Sequence, residues 1–214
     1  MLFIDGANIF NSVRDINGHI IRENNKLPVD KQFFPEQLSL IKIDYLKLIK
    51  EIANNREVIR TYFFDGVQES NLSQKESFFN ALRQQGVTVI TRPVRYKELN
   101  CLKCNLFHSI KREDQTLKLF NQGNSGEIIT FMQEYQKGID VALVTELLRM
   151  ARESVYDTAI VVSGDNDYKN AIDCVKSMGK RVEVASFRRA LGSDLKEVAD
   201  KLIFIDNFLD KIQR

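Results

Sequence analysis

The stretch from Asp157 to Tyr168 constrains the fold of this chain more than any other stretch. Its apolar run, residues 159–162, is short and rich in β-branched side chains, which is typical of a strand buried on both faces. The run stops at Ser163 and Gly164, and apolar residues at helical spacing follow Tyr168. This order of strand, glycine turn and helix predicts a turn at the carboxyl edge of a parallel sheet, where α/β proteins bind ligands.

Similar apolar runs alternate with helical patterns along most of the chain, which predicts an α/β fold with a mostly parallel sheet covered on both faces. Strands are predicted at residues 2–5, 58–64, 87–90, 159–162, 180–187 and 202–205. Helices are predicted from residue 9 onward and at residues 38–55, 73–85, 140–152, 168–178, 193–199 and 207–212. Residues 17–34 are polar and predict a long surface loop. The helix at 140–152 carries an apolar stripe of Val141, Val144, Leu148 and Ala151.

The size and charge of the chain exclude several classes of protein. Its 214 residues predict one domain with an insertion at about 97–126, where the α/β alternation breaks. A formal net charge of +2 gives no global attraction to nucleic acid, so a basic surface would have to be local. No apolar run approaches the roughly 18 residues of a membrane span. An odd number of cysteines, three, argues against a disulfide framework and favours a cytoplasmic location.

Aspartates follow the predicted strands at Asp5, Asp65 and Asp165. The carboxyl ends of parallel strands meet at one edge of a sheet, and Asp140 joins that edge if its helix returns the chain to the next strand. The sequence therefore predicts a carboxylate cluster of Asp5, Asp140, Asp165 and Asp167, which suits Mg²⁺ or Mn²⁺. The alternative is local, since Asp140 could cap its helix and Asp65 could belong to a turn.

Four motifs in a fixed order carry a resemblance to a known family. They are Phe-Ile-Asp-Gly-Ala-Asn8, Lys-Gly-Ile-Asp-Val-Ala-Leu143, Val-Ser-Gly-Asp-Asn-Asp-Tyr168 and Gly-Lys-Arg-Val-Glu-Val184. The set resembles an NYN domain of the LabA-like group, a branch of the PIN-like nuclease superfamily. The resemblance implies a Rossmann-like three-layer sandwich, with residues 1–214 as one NYN/PIN-like domain that contains the insertion and ends in a short helix. It also implies a metal-dependent ribonuclease site.

The resemblance assigns roles to individual residues by position. The catalytic, metal-binding acids would be Asp5, Asp140, Asp165 and Asp167, with Mg²⁺ or Mn²⁺ as the cofactor. Asn8 would orient the turn after the first strand, and Ser163 would support the second turn. The family often has another aspartate six residues after position 140, where this chain has Glu146, which would keep a carboxylate on a longer side chain in a supporting role.

We therefore expect an endoribonuclease in which the metal activates water for attack on a phosphodiester. The alternative is an RNA-binding or regulatory module that keeps the fold and cleaves little or nothing. A phosphatase of the haloacid-dehalogenase type is disfavoured because it needs Asp-x-Asp after the first strand, and this chain has Ala7 in place of the second aspartate. A nucleotide-binding protein is disfavoured because the chain has no Gly-x-Gly-x-x-Gly motif and no P-loop.

A basic strip at residues 92–118 has seven Lys or Arg and three acids, a local charge of +4, with Tyr96 and Phe107 interleaved. Such a strip predicts contact with single-stranded RNA through phosphates and stacked bases, although a solvated loop is the alternative. The candidate substrate contacts are Arg92, Arg95, Lys97, Arg188 and Arg189.

Cys101, Cys104 and His108 resemble half of a structural zinc site. Such a site needs a fourth ligand, which a second copy of the chain in a homodimer could supply. The alternative is a pair of surface thiols on a loop.

Overall fold

The computed structural model describes residues 1–25, 41–67, 72–100, 107–108, 112–113, 116–117, 132–136 and 138–214. Its strands are β1 Leu2–Asp5, β2 Thr61–Val67, β3 Val87–Asn100, β4 Phe107–His108, β5 Arg112–Glu113, β6 Thr116–Leu117, β7 Met132–Gln136, β8 Thr158–Val162, β9 Arg181–Ser186 and β10 Lys201–Phe204. Its helices are α1 Gly6–Asn25, α2 Tyr45–Ala53, α3 Leu72–Gln84, α4 Ile139–Arg152, α5 Lys169–Ser177, α6 Ser193–Val198 and α7 Leu209–Ile212. Short 3₁₀ turns cover Asn166–Tyr168 and Ile205–Phe208.

Six strands form an all-parallel sheet in the order β10-β9-β8-β1-β2-β3. From β1 the chain moves outward in one direction through β2 and β3, and from β8 it moves outward in the other direction. The strand order therefore reverses between β1 and β8, whose register places Ile4 beside Val162. A reversal of this kind opens a crevice beyond the carboxyl ends of the two strands, which is the usual ligand site of open α/β sheets.

Helices cover both faces of the sheet, so the predicted α/β three-layer sandwich is confirmed. Side chains on alternate strand positions enter two separate cores, with Phe3 in the first core and Ile4 in the second. The first core is closed by α4, α5 and α6, and the second core by α1, α2, α3 and α7. β1 and β8 in the middle of the sheet are apolar on both faces, which explains why they appear as continuous apolar runs in the sequence.

The predicted loop at residues 17–34 was wrong in its first part. Helix α1 continues to Asn25, and residues 26–34 lie outside the described part of the chain. Asn17 is 2% exposed, and it exchanges hydrogen bonds with the backbone of Ile41, at 3.0 Å to its Oδ1 and 3.3 Å from its Nδ2. A polar side chain therefore fills an inward position, which hides the helical period from a reading of apolar spacing.

The apolar stripe predicted for α4 was wrong at Val141 and right at Ala151, which is buried, while Val144 and Leu148 are partly buried against the first core. Val141 is 68% exposed, whereas Ile139, Leu143 and Leu147 are each at most 2% exposed. The true buried face begins at Ile139, directly before Asp140, so the carboxylate of Asp140 lies at the border of the core.

β3 has two partners along its length. Its first half pairs in parallel with β2, and residues Val94 to Glu98 pair antiparallel with β7. Most of the predicted insertion lies outside the described residues, so the single-domain assignment stays a prediction. None of the described helices is both long enough and apolar enough to cross a membrane.

Candidate active site

Asp5 lies at the carboxyl end of β1, beside the reversal of strand order. Its side chain is buried, and Oδ1 accepts the backbone N–H of Asn8 at 3.0 Å. A Cβ atom on Gly6 would lie 2.5 Å from the ring of Phe63 and 2.9 Å from the carbonyl oxygen of Phe64. The glycine therefore lets α1 begin immediately after Asp5, close against β2.

Asn8 and Ser163 join the turn after β1 to the turn after β8. The side-chain oxygen of Asn8 accepts the N–H of Gly164 at 3.0 Å. The buried hydroxyl of Ser163 donates to Oδ2 of Asp5 at 3.2 Å and accepts the N–H of Asp165 at 3.3 Å. Both side chains therefore link the two turns beside the crevice, and the supporting roles that the sequence resemblance implies for them stay predictions.

The hydroxyl of Tyr168 lies between Asp5 and Asp140. It is 3.0 Å from Oδ2 of Asp5 and 3.1 Å from Oδ1 of Asp140, and the residue is fully buried. Burial, followed by the charges of the two carboxylates, raises the pKa of this hydroxyl, so it remains a hydrogen-bond donor. Sequence reasoning missed Tyr168 as a site residue. A signal was present, because a buried tyrosine needs a hydrogen-bond partner for its hydroxyl and Tyr168 directly follows the motif that contains Asp165 and Asp167.

Asp140 does not cap its helix. The N-cap of α4 is Gly138, which has a left-handed backbone with φ of 84° and makes no side-chain capping bond. Asp140 is an exposed residue in the first turn of α4, and its hydrogen bond is the one from Tyr168. The helix-cap alternative for Asp140 was therefore wrong, and its carboxylate contacts the same hydroxyl as Asp5 does.

Asp165 and Asp167 lie on the turn that leads from β8 into α5. One oxygen of Asp165 accepts the N–H of Asp167 at 3.0 Å and so caps the 3₁₀ turn. Asp165 is half-buried and Asp167 is exposed. The turn thus presents both carboxylates at the crevice edge of β8.

The site disfavours its own negative charge. Burial raises the pKa of Asp5 from 3.8 to about 6, and the charge of Asp140 adds to this rise. Partial burial also raises the pKa of Asp140, and the charges of Asp165 and Asp167 act in the same direction. A cation among these four carboxylates would offset the burial and the repulsion together.

Among the described residues, no three Asp, Glu, His or Cys side chains form a ready-made metal cage. Mg²⁺ does not require one, since it usually binds through one or two carboxylates and completes its shell with water and substrate phosphate. One carboxylate oxygen of Asp5 and one of Asp140 lie against the same hydroxyl, and the pKa of each carboxyl group is raised. The residues present therefore fit Mg²⁺ or Mn²⁺ bound by few protein ligands.

Two other acids form salt bridges with neighbouring basic side chains. Asp65 is 7% exposed, and Lys75 donates to its Oδ2 at 2.8 Å. Glu146 accepts from Arg149 at 2.7 Å and lies six residues beyond Asp140 on α4, about 9 Å along the helix axis. The supporting role of Glu146 stays a prediction.

The predicted substrate contacts differ in how far the structure describes them. Arg92 is exposed on β3 beside Gly66, while Arg95 and Lys97 are described only as strand backbone. Arg188 holds its guanidinium 3.9 Å from the ring centre of Phe204. The exposed Arg189 follows it.

The predicted zinc ligands are not placed by the structure. Cys101 and Cys104 lie outside the described residues, and His108 is described only as backbone of β4. The zinc site and the homodimer therefore stay predictions.

Comparison with known proteins agrees with this architecture. The chain is 20% identical over 190 residues to the low amplitude and bright protein LabA of Synechococcus elongatus, covering 86% of each protein. It is 32% identical over 71 residues to an uncharacterized Sinorhizobium fredii protein, of which it covers 33%. A crystal structure of a Vibrio parahaemolyticus protein of unknown function shares the fold, with a TM-score of 0.53, 17% identity, and coverage of 100% of this chain and 94% of that one.

The model of the NYN domain matches residues 1–206, which include β1, the crevice and all four candidate acids. The weak similarity to LabA extends over most of the chain and agrees with the LabA-like group. The chain belongs to the NYN domain family.

Proposed function

We propose that this protein is a metal-dependent ribonuclease that hydrolyses RNA phosphodiester bonds at the crevice between β1 and β8. The NYN domain implies a nuclease-like fold, and RNA is the substrate that such a fold suggests. The observation that carries the proposal is the convergence of Asp5 and Asp140, from separate elements, on the hydroxyl of Tyr168. Structural acids rarely gather in this way at a ligand-binding edge, since their mutual repulsion lowers stability.

Mg²⁺ or Mn²⁺ would be held by Asp5, Asp140, Asp165 and Asp167. When bound, such an ion lowers the pKa of water and stabilises charge on phosphate oxygens. Hydrogen bonds within the chain orient these carboxylates. The N–H of Asn8 and the hydroxyl of Ser163 hold the two oxygens of Asp5, and the turn after β8 places Asp165 and Asp167 at the same edge. Because water and a substrate phosphate complete the metal shell in sites of this kind, one or two of these four carboxylates suffice as direct ligands.

Arg92 is the described basic residue that best fits an RNA contact. In the sheet register Asp5 pairs with Phe64, and Phe64 pairs with Ile90. Arg92 lies two residues beyond Ile90 on the same face of β3 as Asp5, and adjacent strands are about 4.8 Å apart. Its guanidinium can therefore contact a phosphate next to the one at the carboxylates.

The second candidate function is an RNA-binding module with little or no cleavage. The lack of a three-ligand metal group among the described residues favours it. The two functions differ in one measurable property, which is the release of product from RNA in the presence of Mn²⁺ or Mg²⁺.

The test is cleavage of a mixed-sequence single-stranded RNA by the wild type and by Asp165→Asn, with and without Mn²⁺ or Mg²⁺. The matched control is Asp157→Asn, because Asp157 is a fully exposed acid at the other end of the same strand, 3.6 Å from Lys180. Metal-dependent cleavage that persists in the control and disappears in folded Asp165→Asn would support the proposal. A circular form of the same RNA would show whether the cut is internal, as an endoribonuclease requires.

RNA that is bound but never cut by the wild type would favour the binding module. Cleavage that survives Asp165→Asn would place the site elsewhere or point to a contaminating nuclease.

A further inference from the structure

We infer that Tyr168 is a positioning residue whose hydroxyl sets the orientation of Asp140 against Asp5 for metal binding. This inference rests on the proposed function, because it assigns a role within the same site. Tyr168 itself is not a metal ligand, since a neutral phenol is a poor donor to Mg²⁺ or Mn²⁺ beside four carboxylates. Its role would be exerted through the two acids that it contacts.

The two acids depend on Tyr168 to different degrees. Asp5 has two further donors, the N–H of Asn8 and the hydroxyl of Ser163, and it is buried at a strand end. Asp140 is exposed on the first turn of α4, and within the described part of the chain its hydrogen bond comes from Tyr168. Loss of the hydroxyl would therefore leave Asp5 in place and free Asp140 to rotate into solvent.

One hydroxyl serves two carboxylates. A phenol has one O–H to donate, yet its oxygen lies 3.0 Å and 3.1 Å from acceptors on Asp5 and Asp140. The bond therefore brings together two groups that repel each other, and it does so before any cation binds. Partners of this kind around metal ligands typically contribute 10- to 100-fold to metal affinity.

The ring and the hydroxyl of Tyr168 have separable roles. The ring is part of the first core, together with Phe3, Leu143 and Ile172. A purely structural role would depend on the ring and on having any partner for the hydroxyl. A positioning role depends on the hydroxyl and on Asp140 together.

The chain offers a matched control in Tyr156, which is 2% exposed in the same core. Its hydroxyl donates to the carbonyl oxygen of Leu147 at 2.9 Å, in the C-terminal half of α4. Tyr156→Phe and Tyr168→Phe each remove one buried hydroxyl group from the same core. They differ in what that hydroxyl contacts, which is a backbone carbonyl for Tyr156 and the carboxylates of the site for Tyr168.

The experiment measures Mn²⁺ affinity by titration calorimetry and by the electron paramagnetic resonance signal of free Mn²⁺. Proteins compared are the wild type, Tyr168→Phe, Tyr156→Phe, Asp140→Asn and the double variant of Tyr168 and Asp140. We expect Tyr168→Phe to weaken Mn²⁺ binding about 10-fold or more while Tyr156→Phe leaves it unchanged. In the Asp140→Asn background, Tyr168→Phe should add little, because the group that it positions is already lost.

Unchanged Mn²⁺ affinity in folded Tyr168→Phe would overturn the inference and leave the ribonuclease proposal intact. An effect that is equal in the presence and absence of the Asp140 carboxylate would also overturn it. A wild type that binds no Mn²⁺ would overturn both the inference and the metal dependence of the proposed function. Near-ultraviolet circular dichroism of each variant confirms that the core is folded before titration.

Discussion

Asp5 and Asp65 lie one register step apart on adjacent strands, yet their side chains face opposite sides of the sheet. Asp5 pairs with Phe64, so it shares the face of Phe3 and Phe64 in the first core. Asp65 follows Phe64 and shares the face of Phe63 in the second core. The sheet itself therefore separates two buried carboxylates that a count of strand ends would place together.

The first prediction is that Asp65→Asn preserves Mn²⁺ binding and cleavage while Asp5→Asn abolishes both. Lys75 already neutralises Asp65, and the backbone of the sheet lies between Asp65 and the crevice. Because Lys75 is partly exposed, loss of this ion pair should change the free energy of unfolding by only about 1 kcal/mol. Loss of metal binding in Asp65→Asn would show that the site extends to the second face.

The second prediction is that Asp5→Asn stabilises the metal-free protein at pH 7. Asparagine can occupy the site, because its oxygen accepts the N–H of Asn8 and its amide donates to the hydroxyl oxygens of Ser163 and Tyr168. The burial of a charge is removed without loss of partners. The gain in the free energy of unfolding, measured by urea denaturation, should be on the order of 1–3 kcal/mol.

The same shift predicts a pH dependence. The pKa of Asp5 is about 6 in the folded protein and 3.8 in its ordinary state, so the folded protein binds more protons between these values. The metal-free wild type should therefore lose stability relative to Asp5→Asn as the pH rises from about 4 to about 6, and keep a constant difference above that range. Saturating Mn²⁺ should reverse the order of the two proteins. A difference that does not vary with pH would contradict the assigned burial of charge.

The third prediction concerns the turn after β8. A Cβ atom on Gly164 would lie 2.1 Å from the carbonyl oxygen of Ala190, whereas one on Gly192 would lie 1.9 Å from Oδ1 of Asn166. The backbone of Ala190 cannot move without displacing its loop, but the side chain of Asn166 can rotate if it gives up its bond to the N–H of Asp194. Gly164→Ala should therefore destabilise the protein by about 2–3 kcal/mol and Gly192→Ala by less.

Thermal and urea unfolding of both glycine variants, with the double variant of Gly192→Ala and Asn166→Ala as a control, would check this. Equal losses for the two single variants would show that the loop at Ala190 yields as easily as a side chain. Gly164→Ala should also weaken cleavage, because the N–H of Gly164 holds Asn8.

The fourth prediction separates two adjacent arginines. Arg188 lies on Phe204 and donates to Oδ1 of Asn207 at 2.9 Å, while Arg189 is exposed. Arg188→Ala should lower the free energy of unfolding by about 1 kcal/mol. Arg189→Ala should leave stability unchanged, weaken RNA binding, and reduce the slope of log K against log salt by about 1. A salt slope unaltered by Arg189→Ala would remove that residue from the RNA surface.

The alternation of strands and helices, the mostly parallel sheet and the placing of acids after strands could be predicted from the sequence because they depend on local patterns, whereas the strand order came from the structure. Short apolar runs mark β1, β8 and β9, and the chirality of parallel crossovers then limits how such strands can be arranged. Asp5 and Asp165 follow directly from strand ends. The helical continuation from residue 17 to 25 could not be predicted, because its inward residue Asn17 is satisfied by the distant Ile41.

The contacts that define the site could not be predicted for a related reason. The bridge from Tyr168 to Asp5 joins residues 163 positions apart, and the phase of α4 is set by packing on the sheet and not by its own composition. Val141 and Leu143 are equally apolar in the sequence, yet only the second is buried. Pairing of Asp65 with Lys75 likewise joins two different elements, β2 and α3, across ten positions in the sequence.

The double pairing of β3 has a consequence for how this family can diversify. The chain departs along β3 and returns along β7 on an adjacent antiparallel track, and three residues after β7 it reaches Ile139 and the start of α4. The position of Asp140 therefore depends on the pairing of β3 with β7 and not on the number of residues between these two strands. Evolution or protein engineering can therefore lengthen, shorten or exchange the segment between Asn100 and β7 without moving the candidate catalytic acids. This makes the segment a suitable place for changes in substrate specificity.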